Sequence, residues 1–298
     1  MNYKVLLFYH YTPIQNPEEL QESHKLFCDE FDIKGRIILA KEGINGTISG
    51  PIEDCEKYKQ YILDIFKLDT LDFKDEECEK HLFQKLTVKV KNEIIRIGTE
   101  VDVQRKTGKH LKPKEWSELI EDSDNIIIDM RSDYEHELGH FKNAITFDMR
   151  KMYQFPNIFK EHPLFSDPEI KKKKILTYCT GGIKCEKASS FFLDNGFEDV
   201  NQLEGGIIRY AKDMDGKDFD GKCYVFDDRV GIDVNKVNPK VISNCYICNT
   251  ETDDMRNCMN TVCNRHTTIC KDCYLEYDSC CSDECMNSDT KRKAFITV

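Results

Sequence analysis

Apolar and polar positions change their period several times in the first third of the chain, and each period predicts an element. Residues 3–11 predict a strand, and "NPEELQESHKLFCDEF" predicts a helix with Asn16 as its N-cap and Pro17 at the first helical position. The segments "GRIILA", "NGTISG" and "KLTVKVKNEII" predict further strands, and "PIEDCEKYKQYILDIF" predicts a second helix. The order β-α-β-β-α-β is typical of a ferredoxin-like α+β domain, which we assign to residues 1–98.

The pattern changes after a polar and basic stretch at residues 99–112, which we predict to be a linker. "NIIIDMR", "KKKILTYC" and "DVNQLEG" predict strands, while "PKEWSELIED", "SDYEHELG", "KCEKASSFFLDNG" and "GIIRYAKDM" predict helices. A long loop is predicted at "FPNIFKEHPLFSDPE". Strands that alternate with helices and contain apolar runs such as "IIID" and "ILTY" are typical of a parallel sheet covered on both faces. This α/β domain is assigned to residues 113–222.

Composition places the chain among folded multidomain proteins, because 298 residues with 40% hydrophobic and 33% charged positions can bury more than one core. The apolar start is too short for a secretory segment, and no run approaches the length that spans a membrane. We therefore expect a cytoplasmic protein without a membrane segment. Fifteen cysteines are many for a reducing compartment, where disulfides do not persist, so metal binding or catalysis must explain them.

One cysteine, Cys179, lies at the predicted carboxyl end of a buried strand, where parallel sheets carry their sites. It begins a glycine-containing loop that leads into a helix, so backbone N–H groups, the helix N-terminus and a lysine all favour its thiolate. The alternative is that Cys179 is an inert buried thiol. The glycine pair and the helix that follows favour a reactive thiolate instead. The candidate catalytic loop consists of Cys179, Thr180, Gly181, Gly182, Ile183 and Lys184.

Two kinds of enzyme use such a loop. Cysteine-dependent phosphatases have an arginine six residues after the cysteine, where this chain has Cys185, so phosphate transfer is not expected. The rhodanese superfamily has a cysteine followed by five residues that end in Arg or Lys, and "CTGGIK" resembles that loop. "DMRSDYEHELGHFKNA" resembles the rhodanese strand and turn, in which Asp129 and Arg131 close a strand and brace the loop, and "LEGGI" resembles a later turn.

A narrower family resemblance covers nearly the whole chain. "LAKEGINGTIS", "DMRSDYEHELGHF", "YCTGGIKCEKAS", "LEGGIIRYA", "YVFDDRVG" and a cysteine-rich tail, in that order, resemble the bacterial tRNA uridine hydroxylases, which are related to rhodanese. The resemblance implies an acylphosphatase-like first domain and a rhodanese-like second domain. It also implies oxygen-dependent conversion of the wobble uridine of tRNA to 5-hydroxyuridine, with dioxygen as co-substrate and Cys179 as the active residue. The sequence carries no flavin or nicotinamide signature.

The tail, residues 223–298, has the cysteine spacing of a metal-binding region, because paired thiolates let one knuckle provide two ligands of a tetrahedral zinc ion. The predicted ligands are Cys245, Cys248, Cys258, Cys263, Cys270, Cys273, Cys280 and Cys285. Eight ligands serve two structural zinc ions, which would stabilise a segment with few apolar residues. Cys281 and His266 are alternative ligands, and an unmetallated tail is the alternative state. Both pairings of the clusters are sterically open; we favour cross-bracing over pairing of neighbours.

Binding of tRNA needs local positive charge, because a net charge of −11 repels a polyanion. Residues 84–114 contain nine lysines and arginines against three acidic residues, and Lys171–Lys174 is a second basic run. The two runs either flank one groove at the loop or form ordinary solvated surface. Tyr153 and Phe155 either stack on an extruded base or belong to the core.

Two other functions remain open from the residues alone. The first is a sulfurtransferase that carries a persulfide on Cys179, with Cys185 resolving it. The second is a non-catalytic zinc adaptor that retains a rhodanese shell, against which the intact loop argues.

Overall fold

The computed structural model describes residues 2–292, and its first domain is built on a five-stranded sheet with the strand order β4-β1-β3-β2-β5. The strands pair antiparallel except β2 and β5, which are parallel. The elements are β1 (Tyr3–Tyr11), α1 (Pro17–Glu30), β2 (Lys34–Ala40), β3 (Gly43–Pro51), α2 (Ile52–Phe66), β4 (Lys74–Cys78) and β5 (Leu86–Val90). The predicted ferredoxin-like α+β class of this domain is confirmed.

The two helices cover one face of this sheet and leave the other face to the second domain. Asn16 caps α1 as predicted, since its side-chain oxygen accepts a hydrogen bond from Glu19 N at 3.2 Å. Along β1, Leu6 and Phe8 are buried in the helix-side core, so Leu7 and Tyr9 project to the opposite face. Strand β4 is not predictable from the apolar pattern, because "KDEEC" is a polar edge strand without apolar alternation.

The second domain contains a four-stranded parallel sheet with the strand order β6-β10-β9-β7, which confirms the predicted rhodanese-like α/β class. Its elements are β6 (Lys109–Leu111), α3 (Pro113–Leu119), β7 (Ile126–Asp129), α4 (Asp133–Leu138), β8 (Gly139–Phe141), α5 (Phe155–Glu161), β9 (Lys174–Tyr178), α6 (Ile183–Asp194), β10 (Asp199–Leu203) and α7 (Gly206–Met214). Helices and sheet enclose two apolar clusters, one on each face.

Two stretches differ from the expectation. The edge strand β6 lies within residues 99–112, which were predicted to be a linker. The predicted long loop contains α5 and short 3-10 helices at Pro163–Ser166 and Pro168–Lys172, each with a proline in its first turn, where the missing N–H is tolerated. These turns pack aromatic side chains into the core, and Phe155 is fully buried there, so it cannot stack on a base.

The cysteine-rich tail is attached to the second domain through a three-stranded sheet with the order β12-β11-β8. The remaining elements are β11 (Phe219–Tyr224), β12 (Gly231–Asp233), β13 (Met255–Asn257), β14 (His266–Thr268), α8 (Lys271–Glu276) and α9 (Asp283–Met286). His266 stacks on Tyr134 of α4 with ring centroids 4.8 Å apart, and its Nδ1 lies 3.2 Å from the Tyr224 hydroxyl. These contacts hold the tail against α4.

The first domain covers the loop that follows β9. Tyr11 donates a hydrogen bond to the Ile183 carbonyl, and the buried Lys187 ammonium lies between Glu42 at 2.9 Å and Glu93 at 2.7 Å. The two domains are therefore joined by buried polar contacts around the loop. Within residues 2–292, no helix has the length and apolar character needed to cross a bilayer.

Candidate active site and cysteine clusters

Cys179 lies where β9 ends and is almost fully buried. The chain turns sharply after it, with Gly182 at φ +101°, and α6 begins at Ile183. This turn directs the Gly182 N–H toward the sulfur, to which it donates a hydrogen bond at 3.2 Å. The predicted position of Cys179, at a strand end and before a helix N-terminus, is thus the observed one.

The surroundings of Cys179 stabilise its thiolate. Burial by itself raises the pKa of this thiol, but the adjacent Cys185 thiol, the Lys184 charge and the backbone N–H groups of Lys184 and Gly182 outweigh it and lower the pKa to about 6. Burial and the neighbouring Cys179 sulfur raise the pKa of Cys185 well above its ordinary value. At neutral pH the pair therefore consists of one thiolate and one thiol.

Lys184 is held in place by a buried carboxylate. Its Nζ lies 3.0 Å from Glu135 Oε2, and Glu135, on α4, is fully buried. The same carboxylate oxygen accepts the Ser132 N–H at 3.0 Å, which completes a capping box at the start of α4. Helix α4 therefore fixes the Lys184 charge in the loop through Glu135, and the cysteine-rich tail packs on the same helix.

Asp129 and Arg131 form a buried ion pair at the end of β7 that supports the loop from below. Two bonds join the side chains, Nε to Oδ1 at 3.0 Å and a terminal nitrogen to Oδ2 at 2.7 Å. Burial raises the pKa of Asp129, but the Arg131 charge and the His136 hydrogen bond hold it well below its usual range. The Tyr178 hydroxyl donates to Asp129 Oδ2 at 2.8 Å, so the pair acts on Cys179 through its chain neighbour.

Two glycines near Cys179 lie at close approaches to other chain segments. A Cβ on Gly181 would lie 2.7 Å from Leu7 Cδ2 of the first domain. A Cβ on Gly206, which has φ +65°, would lie 2.5 Å from the Cys179 carbonyl oxygen. The "CTGGIK" and "LEGGI" motifs therefore let three chain segments meet at the thiol.

A cavity of about 320 Å³ opens above Cys179, between the loop and the uncovered face of the first sheet. Its walls are largely apolar, and polar groups stand at a few points, as in pockets for small organic groups. Thr180 Oγ1 is buried and lacks a hydrogen-bond partner among the described residues. The lining includes Leu7, Tyr9, Arg36, Ile38, Asn45, Thr47, Lys74, Thr180, Gly181, Lys184, Ile208 and Phe226.

None of the wall residues contributed by the first domain is among the site residues predicted from the sequence. Lys74 of β4 is one of them: its ammonium lies 2.8 Å from Asp72 and 4.9 Å from the centre of the Tyr9 ring. Burial lowers the pKa of Lys74, although Asp72 acts in the opposite sense. No local pattern marks such residues, because they reach the site only through the packing of two domains.

The two basic runs do not share one groove. Lys171–Lys174 leads into the first residue of β9, at the strand end opposite Cys179, and Lys174 pairs with Asp199. From the other run, Lys91 and Arg96 line a groove of about 1060 Å³ that shares Ile38 and Ile95 with the cavity. There the Arg96 guanidinium lies 4.8 Å from the ring centre of Tyr153, which is 40% exposed.

The tail brings eight cysteine sulfurs together in two clusters. The first contains Cys245, Cys248, Cys270 and Cys273, and the second contains Cys258, Cys263, Cys281 and Cys285. Ligand atoms within each cluster lie within 4.8 Å of one another. The clusters interleave along the chain, which is the cross-braced arrangement.

The second cluster corrects one predicted ligand, since Cys281 occupies the place assigned to Cys280. Cys281 lies 3.7 Å from Cys263 and 3.9 Å from Cys285, while Cys280 is buried beside the cluster. Adjacent residues point in different directions, so only one of the two neighbours can face the cluster. His266 belongs to neither cluster, because its ring packs on Tyr134.

The sulfur spacings fit a tetrahedral metal ion. Zinc–sulfur bonds of about 2.3 Å in a tetrahedron place the sulfurs roughly 3.8 Å apart. Cys248 and Cys270 lie 3.6 Å apart in the first cluster, close to that spacing. Each cluster can thus hold one ion, and the donor set is typical of structural zinc.

Comparison with known proteins covers all three parts of the chain. Residues 3–94 match the UPF0176 acylphosphatase-like domain, residues 112–213 the rhodanese-like domain, and residues 220–286 the rhodanese C-terminal family. A tRNA uridine(34) hydroxylase of Cytophaga hutchinsonii is 50% identical over 292 residues, which span 98% of this chain and 92% of the relative. A protein of the same name from Staphylococcus saprophyticus is 40% identical over 98% of this chain and 92% of the relative. Another from Bacillus cytotoxicus is 42% identical over 95% of this chain and 87% of the relative.

Proposed function

Because the chain belongs to the tRNA uridine(34) hydroxylase family, we propose that it hydroxylates the wobble uridine of tRNA at C5 with Cys179 as the reactive thiolate. The observation that carries this assignment is the placement of a thiol of lowered pKa at the floor of a cavity that both domains enclose. The product is 5-hydroxyuridine, and dioxygen is the co-substrate.

The cavity receives the uracil after the nucleotide leaves the anticodon stack. Enzymes that modify a base extrude it into a closely fitting pocket, whose walls stack on the base and whose polar groups read its edge. Leu7 and Ile38 offer apolar walls, while Asn45 and the unpartnered Thr180 hydroxyl offer hydrogen bonds. Lys91, Arg96 and Tyr153 beside the adjoining groove meet the neighbouring phosphates and bases.

The reaction starts with addition of the Cys179 thiolate to C6 of uracil. This addition makes C5 nucleophilic toward dioxygen, with negative charge delocalised onto the adjacent carbonyl. Lys184, the last residue of the loop, and Lys74 of the first domain both line the cavity and place positive charge near these anions. Asp129 and Arg131 are positioning residues, since they contact Tyr178 and not the cavity.

Each cysteine cluster binds one structural zinc ion. The ions order the tail, whose β14 places His266 against Tyr134 of α4. Since α4 also carries Glu135, the partner of Lys184, the tail helps to fix the charge beside Cys179. The zinc sites thus support the loop from a distance, and the tRNA substrate places the enzyme in the cytoplasm.

A labelling experiment tests this function. Purified protein is incubated with tRNA from a strain that lacks the modification, under dioxygen labelled with heavy oxygen, and nucleosides are analysed by mass spectrometry. Incorporation of labelled oxygen into uridine is expected. The rhodanese-type loop also supports a sulfurtransferase as the second candidate, for which the same analysis would show a sulfur-containing nucleoside and no labelled oxygen.

A further inference from the structure

A second thiol stands beside Cys179 and has no role in the addition step. Cys185 lies in the first turn of α6 and is fully buried. Its N–H donates to the Gly182 carbonyl at 3.0 Å, and the Gly182 N–H donates to the Cys179 sulfur at 3.2 Å. One tight turn therefore connects the two cysteines, and their side chains belong to the same buried cluster, in which Cys179 is the one that lines the cavity.

Hydroxylation by dioxygen needs more than the oxygen itself. One oxygen atom enters the C5–H bond and the other becomes water, which requires two electrons and two protons from a reductant. Two thiols that become a disulfide release two electrons and two protons. A dithiol whose first sulfur lines the cavity and whose second sulfur lies in the same buried cluster meets this requirement.

We propose that Cys179 and Cys185 form a redox pair that supplies the two electrons of each hydroxylation, an inference that rests on the proposed function. The net reaction converts uridine, dioxygen and two thiols into 5-hydroxyuridine, water and one disulfide. It assigns to Cys185 a chemical role in the reaction itself.

Addition of Cys179 to C6 and of C5 to dioxygen gives a C5 hydroperoxide, whose terminal oxygen Cys185 attacks. The O–O bond breaks, which leaves a hydroxyl on C5 and a sulfenic acid on Cys185. Loss of the C5 proton then expels Cys179 from C6 and restores the double bond. The freed Cys179 thiolate attacks the sulfenic acid, forming the disulfide and releasing water.

The surroundings of the two sulfurs suit these separate roles. Cys179 is ionised first, since its pKa is lowered to about 6, while burial and the Cys179 sulfur keep Cys185 protonated until a peroxide forms. Both thiols are nearly inaccessible to solvent, and a bound base fills the cavity above them, which protects a sulfenic acid from other thiols during the reaction. After the product leaves, a small dithiol can enter the empty cavity and reduce the disulfide at Cys179, the sulfur that lines it.

A single-turnover experiment with Cys185→Ser tests the proposal. Serine keeps a hydrogen-bond donor beside Cys179 but cannot be oxidised to a disulfide, so it separates a positioning role from a redox role. Reduced, desalted protein is mixed with unmodified tRNA under air without added thiol. Wild-type protein should form about one 5-hydroxyuridine and about one Cys179–Cys185 disulfide per chain, by non-reducing peptide mapping. Cys185→Ser should form less than about a tenth of that product.

Controls separate the possible failures. Cys78→Ser, a substitution in the first domain, should behave as wild type, and Cys185→Ala gives a second variant if serine disturbs the core. Circular dichroism and alkylation of Cys179 report on the fold. Several turnovers without a reductant, wild-type yield from folded Cys185→Ser, or a disulfide to Cys223 instead would overturn the proposal. Absence of product from wild-type protein supplied with dithiothreitol would overturn the hydroxylase function itself.

Discussion

Tyr9 of β1 donates a hydrogen bond to Glu186 of α6 at 3.0 Å, and this contact joins the first domain to the helix that follows the catalytic loop. Tyr9 also lines the cavity, and its hydroxyl lies 3.0 Å from the position that a Cβ on Gly182 would take. The contact therefore sets how closely the first sheet approaches the loop.

Substitution of Tyr9 by phenylalanine removes this bond and should lower both stability and activity. Loss of a buried hydrogen bond costs about 0.5–1.5 kcal/mol in the free energy of unfolding, measured with urea. The matched control is Tyr61→Phe, which removes a hydroxyl bonded to Ser23 within the first domain, away from the cavity. Equal losses of hydroxylation in the two variants would show that the interdomain contact has no special role.

Lys184→Ala should move the alkylation of Cys179 to higher pH. The Lys184 charge is one of the causes that lower the pKa of Cys179 to about 6, so its removal raises that pKa. The rate of reaction with iodoacetamide against pH measures the shift, and Lys172→Ala, at an exposed lysine paired with Glu169, is the control. If the pH midpoint of alkylation is unchanged in Lys184→Ala, the loop amides and Cys185 stabilise the thiolate without a contribution from the Lys184 charge.

Stability should depend on pH through Cys179. The pKa of its thiol is lower in the folded protein than in the unfolded chain, so the unfolded chain binds more protons between about pH 6 and pH 9. The stabilisation from this ionisation grows with pH across that window and disappears as pH falls through about 6. The free energy of unfolding of wild type relative to Cys179→Ser should rise by up to about 4 kcal/mol, at roughly 1.4 kcal/mol per pKa unit. If the difference in free energy of unfolding between wild type and Cys179→Ser does not change with pH, Cys179 is not ionised in the folded protein near neutral pH.

Zinc content should follow the interleaved clusters. Wild-type protein should hold about two zinc ions, and Cys245→Ser, Cys270→Ser and their double variant should each lose the same ion. Cys281→Ser should lose the other ion, whereas Cys280→Ser should retain both. Loss of two ions from the Cys245/Cys270 double variant, measured by elemental analysis, would instead indicate pairing of neighbouring clusters.

The sequence predicts those parts of the site that lie close together in the chain. The end of β9, the glycine turn and the start of α6 all fall between Lys174 and Asp194, where apolar runs and loop chemistry follow short-range rules. The place of Cys179 before a helix N-terminus was therefore predictable. So was the capped helix at Asn16, because one side chain and the N–H groups of the next turn define it.

The rest of the site depends on contacts between distant residues. Tyr9 and Glu186 are separated by most of two domains, and nothing near Tyr9 indicates which surface its strand will cover. The polar strand β4, which brings Lys74 to the cavity, follows no alternation because it is an edge. Cys280 and Cys281 are adjacent residues of the same type, so their sequence does not distinguish them. Only the folded turn before α9 determines which sulfur faces the cluster.

The most direct test of the account is the wobble uridine of tRNA from a strain that lacks this protein, complemented with wild type or with Cys179→Ser. Serine is nearly isosteric with cysteine but is not ionised at neutral pH, so the fold should persist without the nucleophile. Mass spectrometry of the nucleosides should show 5-hydroxyuridine restored by wild type and, with Cys179→Ser, less than about a tenth of that amount. Restoration of 5-hydroxyuridine by Cys179→Ser would contradict the role of Cys179 as the reactive thiolate.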